Sequence, residues 1–465
     1  MAPGATTGNT STITVTPSNS FTGTVTLACA VTSSLSNPTS PGCSLSPTSV
    51  SITGTTPETS PLTVTTAAAT TLGAYTVTVT GTSGSAAADT TVCVEVSTSG
   101  TATCTTAATT SGKFYILNSN SIAGYYINSG VLTALSGSPT ALPSGATPWA
   151  MTVDPTGSFL YVSTDLGIYL YDIGSGGALT LNSSGTISET SSYAIHFDTT
   201  GNWLLDASNT NAGPVLSAWP ISTTTGLPTL AGGLNVPARA LVSGGSVAKG
   251  GIAISPDGKL VAVAVGSETQ TFTFTSGTDF TGATNPLSTT FDYRKATGTA
   301  ISVGFDPSTR FLYIGETGDY PSSTTDSGGL RLIPIASDVL GTEPAASSTY
   351  PYPSGGTGPH AIQAASNGYV YVTNEVGTGA GNVTAFLLNA STPSLTLQSN
   401  PAATGDVPYG MAVDNTGDFV IVVNSQGSSP VDAYTFDTTT TGQLDPASLT
   451  GSAVSNPVAI VAVPK

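Results

Sequence analysis

The residues best suited to chemistry in this chain are a histidine and a carboxylate that share one short stretch. His360 and Glu375 lie near the two ends of GPHAIQAASNGYVYVTNE, and His360 is one of only two histidines in the chain. An imidazole can act as a general base and a nearby carboxylate can orient it, which is a pairing used in hydrolysis. The stretch also has the pattern of two strands and a tight turn, in which case both residues only mark the ends of strands.

The elements that position these residues belong to a repeated unit with six complete copies. Each copy is an apolar strand, a turn rich in Asp, Pro and Gly, and a second apolar strand, which predicts a hairpin. One or two further strands follow most copies, so a unit has about four strands. The copies are PWAMTVDPTGSFLYVST (148–164), YAIHFDTTGNWLLDAS (193–208), GGIAISPDGKLVAVAV (250–265), AISVGFDPSTRFLYIGE (300–316), PHAIQAASNGYVYVTNE (359–375) and PYGMAVDNTGDFVIVVN (408–424).

The two ends of the repeated region complete a seventh unit. NPVAIVAVPK (456–465) is a first strand without its turn, whereas GKFYILNSNSIAGYYINSGVLTAL (112–135) begins at the second strand. Units of about 50 residues are typical of propeller blades. We therefore predict an all-β chain in which residues 113–465 form a seven-bladed β-propeller, with the split blade closed by the C-terminal strand.

In a propeller the first strand of each blade lines the central channel, and the hairpin returns the second strand to the same rim. Residues that start first strands and residues that end second strands are therefore predicted to share this rim. The strand-start group is Trp149, Tyr193, Lys249, His360 and Tyr409. The strand-end group is Asp165, Asp206, Glu268, Glu316, Glu375 and Asn424, with Asn374 beside Glu375.

The chemistry of this rim allows more than one interpretation. Aromatic faces together with carboxylate acceptors suit a neutral glycan. Crowded carboxylates would attract Ca²⁺, but no loop has the spacing of a calcium-binding motif, so we assign no metal site and expect no cofactor. The second histidine, His196, lies among apolar neighbours in AIHFD and is interpreted as an interior histidine.

The blades resemble the YVTN repeat, which occurs as Tyr371-Val372-Thr373-Asn374, and the lactonase-like propellers related to 6-phosphogluconolactonase. The resemblance spans residues 113–465 and implies the propeller fold. Family members often carry a motif like GPRH…YVxNE, to which His360, Asn374 and Glu375 correspond, whereas the arginine before the histidine is absent. Arginine suits anionic substrates and developing oxyanions. The resemblance therefore implies a lactonase-like hydrolase as an alternative, but the missing arginine favours a role without catalysis.

Residues 1–106 form a separate module, followed by a small polar linker at 107–112. Six short segments, among them STITVTP, GTVTLACAV and GAYTVTVTG, alternate with the period of strands and predict an antiparallel sandwich. The module resembles bacterial immunoglobulin-like repeats, which usually have one more strand before TSTITVTP. Either that strand was removed with an N-terminal segment, or the sheet has an open edge to which another chain adds a strand.

The four cysteines all lie in this module, and we pair Cys29 with Cys43 and Cys93 with Cys104. Zinc is the alternative, but no histidine or close cysteine pair accompanies them. Disulfides indicate an oxidising compartment. There is no transmembrane run, and MAPGATTGNT lacks the features of a signal peptide, so a signal was removed or export uses another route.

Net charge and composition narrow the function classes. The formal net charge is −17 with no basic stripe, which argues against nucleic acid as a partner. We expect a secreted structural or binding protein at the cell surface or in an extracellular assembly, with itself, other surface proteins or a neutral glycan as partner. Strand addition at the sandwich edge could build a fibre. The alternatives are a secreted lactonase-like hydrolase and a glycan-binding propeller.

Overall fold

The computed structural model describes residues 1–5, 9–17, 21–32, 39–54, 56–83, 86–97, 112–128, 131–174, 176–182, 187, 191–229, 238–242, 244–275, 287–295, 298–318, 328–344, 350–365, 367–376, 379–414, 417, 419–437, 442–447 and 454–464. Secondary structure within these ranges is entirely β, as predicted. The chain divides into two compact units, Met1–Thr110 and Ser111–Lys465. Residues 107–111 of the predicted linker are outside the described ranges.

The first unit contains two antiparallel sheets. Its strands are β1 (Thr10–Val15), β2 (Gly23–Thr32), β3 (Gly42–Leu45), β4 (Ser49–Ile52), β5 (Glu58–Thr65), β6 (Gly73–Ser83) and β7 (Ala86–Val96). One sheet has the order β1-β5-β3 and the other β4-β2-β6-β7. Alternation along β2 buries Val25 and Leu27 and exposes Thr24 and Thr26, so each sheet has one apolar face. These faces share one core, in which Leu62 and Val77 are fully buried.

A disulfide bond joins Cys29 on β2 to Cys43 on β3. Because β2 and β3 belong to different sheets, the bond links the two sheets covalently. For the other predicted pair, Cys104 and the side chain of Cys93 are not described.

The second unit has seven groups of strands. The first is β8 (Lys113–Asn118), β9 (Ser121–Asn128), β10 (Val131–Ala134) and β11 (Thr140–Ala141). The second is β12 (Pro148–Val153), β13 (Phe159–Thr164), β14 (Gly167–Ile173) and β15 (Leu179–Leu181). The third is β16 (Ser192–Phe197), β17 (Trp203–Thr210), β18 (Gly213–Pro220) and β19 (Arg239–Ala240). The fourth is β20 (Val247–Ile254), β21 (Leu260–Val265), β22 (Glu268–Phe274) and β23 (Leu287–Lys295).

The remaining groups follow in chain order. The fifth is β24 (Thr299–Phe305), β25 (Phe311–Thr317), β26 (Gly328–Ala336), β27 (Val339–Leu340) and β28 (Tyr352–Pro353). The sixth is β29 (Gly358–Ala364), β30 (Tyr369–Val376), β31 (Gly379–Asn389) and β32 (Ser394–Leu397). The seventh is β33 (Ala402–Val413), β34 (Phe419–Gln426), β35 (Val431–Phe436) and β36 (Leu444–Ala447), after which β37 (Pro457–Ala462) ends the chain.

Strands within a group pair antiparallel, mainly with their neighbours in sequence, and β37 pairs with β8 of the first group. A short pairing of β31 with β33 joins the sixth and seventh groups into one sheet. The first strands of consecutive groups lie side by side, and β37 lies beside both β33 and β12, so β12, β16, β20, β24, β29, β33 and β37 form a closed ring. This ring surrounds the channel that the sequence predicts.

The second strands lie in the core because they are covered on both faces. Every residue of β13 and of β21 is buried, which explains why FLYVST and LVAVAV are nearly continuous apolar runs. Clusters of buried side chains connect successive groups. In one such cluster, Leu205 of the third group packs with Val263 of the fourth.

A buried aspartate organises the hairpin turn in four of the groups. Asp154 accepts a hydrogen bond from the backbone N–H five residues later, in Phe159, at 2.7 Å, and Asp198, Asp306 and Asp414 repeat this contact at 2.8 to 2.9 Å. Each contact satisfies a backbone donor that would otherwise be buried without a partner. This is the physical basis of the repeated Asp in the turn motif.

Candidate functional site

A β-bulge sets the direction of the residue at the start of each first strand. In six of the seven strands, one residue is skipped by the pairing with the partner strand. A bulge bends the strand and redirects the extra side chain. The skipped residues are Trp149, Tyr193, Ile301, His360, Tyr409 and Val458.

The remaining first strand, β20, has a larger irregularity. Val247 pairs with Val265 and Ile252 with Val263, so residues 248–251 lie opposite Ala264 alone. This segment contains Lys249, and the next residue, Gly250, has a φ of 68°, a conformation that favours glycine. We call Lys249 and the six skipped residues the mouth ring.

The mouth ring borders a cavity of about 440 Å³. Residues from all seven first strands line this cavity, which is therefore the channel at the centre of the ring of strands. Trp149, Lys249, His360, Tyr409 and Val458 are among its lining residues. Four of the five predicted strand-start residues thus meet at one cavity, and the fifth, Tyr193, contacts Trp149.

One side of the mouth ring is an aromatic pair covered by an amine. The rings of Trp149 and Tyr193 stack with their centroids 5.4 Å apart and an interplanar angle of 13°. Lys249 Nζ lies 3.9 Å from the centroid of the Trp149 ring, which is a cation–π contact. Partial burial lowers the pKa of Lys249. Trp149 Nε1 is buried and has no hydrogen-bond partner in the described part of the chain.

The other side of the mouth ring holds the predicted histidine and carboxylate. His360 stacks on Tyr409 with centroids 4.6 Å apart, and His360 Nε2 lies 3.7 Å from Glu375 Oε2. Burial lowers the pKa of His360, and this outweighs the opposing effect of the Glu375 carboxylate. Burial, with a smaller effect of Glu375, raises the pKa of Tyr409. The lowered pKa favours the neutral imidazole, which is the form that can accept a proton.

Two of the predicted strand-end carboxylates lie inside the sheets. Asp206 is buried and accepts hydrogen bonds from Ser192 and Ser208, each at 2.7 Å. Burial raises the pKa of Asp206. Glu316 is fully buried and pairs with Arg331 Nε at 2.9 Å. Neither side chain lines the cavity.

The other strand-end residues do not line the cavity, and apart from Glu375 their contacts are with neighbouring strands and turns. Asn374 Nδ2 donates to Asn382 and Thr384, each at 3.0 Å, and Asn424 Nδ2 donates to the backbone of Ser429 at 2.8 Å. Asp165 accepts from the backbone N–H of Thr147 at 2.6 Å. Glu268 begins β22 and pairs in register with Lys295.

Strand register explains which strand-end residues reach the surface. In five groups, the first-strand residue just before the bulge pairs with a buried residue of the second strand. These buried second-strand residues are Thr164, Ser208, Glu316, Asn374 and Asn424. Asp165 and Glu375 each come one residue later and are only partly buried. A shift of one position therefore separates structural residues from accessible ones.

Val458 and His196 line the cavity but were not predicted as part of the site. Val458 occupies a bulge position, as does Ile301 of the mouth ring, and each skipped residue precedes Ala, Ser or Gly, a pattern that is visible in the sequence. The Nδ1 atom of His196 lies 2.6 Å from the backbone oxygen of Phe197. Burial lowers the pKa of His196.

The described ranges contain neither a cluster of metal-ligating side chains nor a helix that could span a membrane. No three His, Cys, Asp or Glu side chains within them are close enough together to hold a metal ion. The same ranges contain no helix of the length and hydropathy that crossing a membrane requires.

Comparison with known proteins supports the class of fold. Residues 340–462 match the family model described as lactonase, 7-bladed beta-propeller, and this segment includes His360 and Glu375. The structure of a candidate 6-phosphogluconolactonase from Bacteroides fragilis is 15% identical, with a TM-score of 0.57, and the match covers 77% of this chain and 99% of that chain. A second, from Bacteroides uniformis, is 16% identical with a TM-score of 0.57 and coverages of 75% and 98%.

A protein from Lactobacillus plantarum also matches, at 16% identity and a TM-score of 0.55, over 75% of this chain and 98% of that one. No curated protein sequence matches the chain. The chain therefore contains a lactonase-like β-propeller, as the blade motifs predicted. At these identities the likeness establishes the fold and leaves the chemistry to the residues of the site.

Proposed function

We propose that this chain is an extracellular binding protein whose propeller holds a small polyhydroxylated ligand, such as the end of a glycan, at the mouth ring. The observation that carries the proposal is that the bulges bring aromatic, amine and imidazole side chains together at one cavity of about 440 Å³. This volume is within the usual range for small-ligand sites. Aromatic faces pack against the apolar faces of sugar rings, and amine and imidazole groups hydrogen-bond to hydroxyls.

The architecture we propose is an immunoglobulin-like sandwich followed by a propeller closed through a split blade. The two sheets β1-β5-β3 and β4-β2-β6-β7, with one shared core, support the sandwich. The pairing of β37 with β8, at the two ends of the repeated region, supports the closure. Closure by the last strand also fixes Val458 in the mouth ring.

An extracellular location is supported by the disulfide between Cys29 and Cys43, because such bonds persist in oxidising compartments. A structural role in an assembly is supported by β1. Among the described residues this strand pairs only with β5 and lies at a sheet edge. Another copy of the chain could add a strand there and extend a fibre.

Fluorescence titration with a panel of neutral oligosaccharides tests the binding function. The chain has three tryptophans, Trp149, Trp203 and Trp219, of which only Trp149 lines the cavity. A bound sugar should change the emission of the wild type and not that of the Trp149→Phe variant. An unchanged emission across the panel, together with no heat of binding, would exclude this function.

A second candidate function is hydrolysis of a sugar lactone. The family match and the proximity of His360 and Glu375 favour it. In this reaction a neutral His360 would take a proton from the attacking water, and Glu375 would orient the imidazole and stabilise its cation. A screen of sugar lactones with the wild type and His360→Ala tests this role. Equal rates at background level for both proteins would rule it out.

A further inference from the structure

The charges around the cavity differ from those of the chain as a whole. The formal net charge of the chain is −17, yet no Asp or Glu is among the described residues that line the cavity. Lys249 is the single Lys or Arg among those lining residues. The carboxylates Asp206 and Glu316, which the sequence placed on this rim, have their partners inside the sheets. The cavity is therefore locally cationic.

The position of Lys249 is specific to its strand. The other first strands each skip a single residue, whereas β20 has four residues opposite one, and Lys249 is in that segment. The glycines that follow allow a tight path. Gly250 has a φ of 68°, and a Cβ on Gly251 would lie 2.8 Å from the Cβ of Ala248. The segment thus places one ammonium group over the Trp149 ring at the edge of the cavity.

The remaining polar side chains that line the cavity carry hydroxyl, amide or imidazole groups. Thr152, Ser302 and Gln363 provide the hydroxyl and amide groups. The predicted rim carboxylate Glu375 lies 3.7 Å from His360 Nε2, and in the ring of first strands β24 lies between the strand of His360 and that of Lys249. Charges separated by more than about 8 Å are largely screened at physiological ionic strength, so the net charge of the whole chain matters less to a bound ligand than direct contact with Lys249.

We infer that the mouth ring selects saccharides that carry one carboxylate, such as a hexuronate, with the carboxylate on Lys249 and the sugar ring against the aromatic pair. This inference rests on the proposed binding function and adds the charge of the ligand. A single ammonium balances a single carboxylate, whereas a phosphate carries a charge of about −1.5 to −2 and would need a second cation. When the ammonium of Lys249 moves to pair with the carboxylate of the ligand, it leaves the face of the Trp149 indole, and the sugar ring can pack there.

The test compares an acidic sugar with its uncharged ester, and the single sugar with a short chain of the same sugar. Galacturonate, its uncharged methyl ester and trigalacturonate are titrated against the full chain by calorimetry and tryptophan fluorescence, with the wild type and the Lys249→Gln variant. The matched control is Lys259→Gln, because Lys259 is on an exposed turn, paired with Asp257 and Asp338 and away from the cavity. We expect the wild type and the control to bind galacturonate about tenfold more tightly than the ester, and Lys249→Gln to lose this preference.

The outcomes separate this inference from the proposed function. If the acid and the ester bind the wild type equally, or if Lys249→Gln keeps the preference, the charge selection is wrong while the binding function stands. If no saccharide of either kind binds, both are wrong. Tighter binding of trigalacturonate than of galacturonate supports the end of an acidic polysaccharide as the source of the ligand, and equal binding supports a free sugar acid.

Discussion

A hydrogen bond between neighbouring blades gives a stability prediction with an internal control. Tyr161, fully buried in β13, donates from its hydroxyl to the backbone oxygen of Gly226 in the next group at 2.6 Å. Tyr115 makes the same kind of bond to Gly177 at 2.7 Å. Gly226 has a φ of 68°, and a Cβ there would lie 2.7 Å from the ring of Phe159, so this close approach requires glycine.

Replacing Tyr161 with phenylalanine removes the donor and leaves the buried Gly226 oxygen without this partner. A lost hydrogen bond that leaves a buried polar group unsatisfied costs about 1–3 kcal/mol, so the free energy of unfolding should fall by that amount. The ring itself is retained, and its packing against Phe197 is unchanged. The predicted loss therefore measures the bond and not the volume of the side chain.

Tyr313 is the matched control because it is buried to the same degree in β25 without such a bond. Its hydroxyl has no hydrogen-bond partner among the described residues. Replacing Tyr313 with phenylalanine removes a buried hydroxyl and leaves no acceptor unpaired. We expect a change between zero and about 1 kcal/mol of stabilisation.

Urea unfolding monitored by tryptophan emission measures both changes in the full chain. All three tryptophans lie in the second unit, so their emission reports on that unit alone. Equal m-values for the wild type and the variants are required before the midpoints are compared. If Tyr161→Phe and Tyr313→Phe lower stability equally, the bond between blades contributes nothing and the reasoning is refuted.

Three further predictions concern buried charges and the mouth ring. Asp154→Ala should lower the free energy of unfolding by about 1–3 kcal/mol, measured in urea, because backbone donors of its turn lose their acceptor, while Asp154→Asn should lower it less. Arg331→Met should cost about 3–5 kcal/mol in thermal unfolding because it leaves Glu316 buried without its guanidinium, and adding Glu316→Gln should restore most of that loss. In NMR titrations His360 should have a pKa below 6.5, and Glu375→Gln should lower this pKa further. Because the folded pKa is below the unfolded one, the contribution of His360 to stability is present above pH 6.5 and is lost as the pH falls through the folded pKa; a pKa unchanged by Glu375→Gln would contradict the pairing.

The repeat could be predicted from the sequence because each turn encodes its own geometry. The Asp in VDPTG and FDPST accepts backbone hydrogen bonds across the turn, so the same letters recur wherever the same contact is needed. The sixth group lacks this Asp and has Ala365 in its place. There Asn367 accepts a hydrogen bond from the backbone N–H of Tyr369 at 3.0 Å, so a different side chain satisfies the backbone donor at the start of the second strand.

The positions of the strand-start residues could also be predicted from the sequence. The feature that turns their side chains toward the channel could not. The pattern places Trp149 and His360 at the beginning of apolar strands, and a side chain there could lie on either face of the sheet. The bulge, which depends on pairing with a distant strand, turns these side chains toward the channel. Contacts such as Lys249 on Trp149 depend on the closed ring of strands and cannot be derived from one blade.

The strand-end residues show how sharply register limits what a sequence can reveal about a rim. Glu316 and Glu375 both end a second strand, yet Glu316 is opposite Ala300, before its bulge, and Glu375 is opposite Gly358, one position further out. That single position buries one carboxylate against Arg331 and leaves the other beside His360. Side chains of a strand alternate between its two faces, so an error of one residue in aligning the repeats moves a carboxylate from one face to the other. A carboxylate placed at the rim from the sequence alone can therefore equally well be buried within the sheet. This difference contributes to the charge of the cavity lining, because Asp206 and Glu316, two of the five acidic residues predicted for the rim, are held within the sheets.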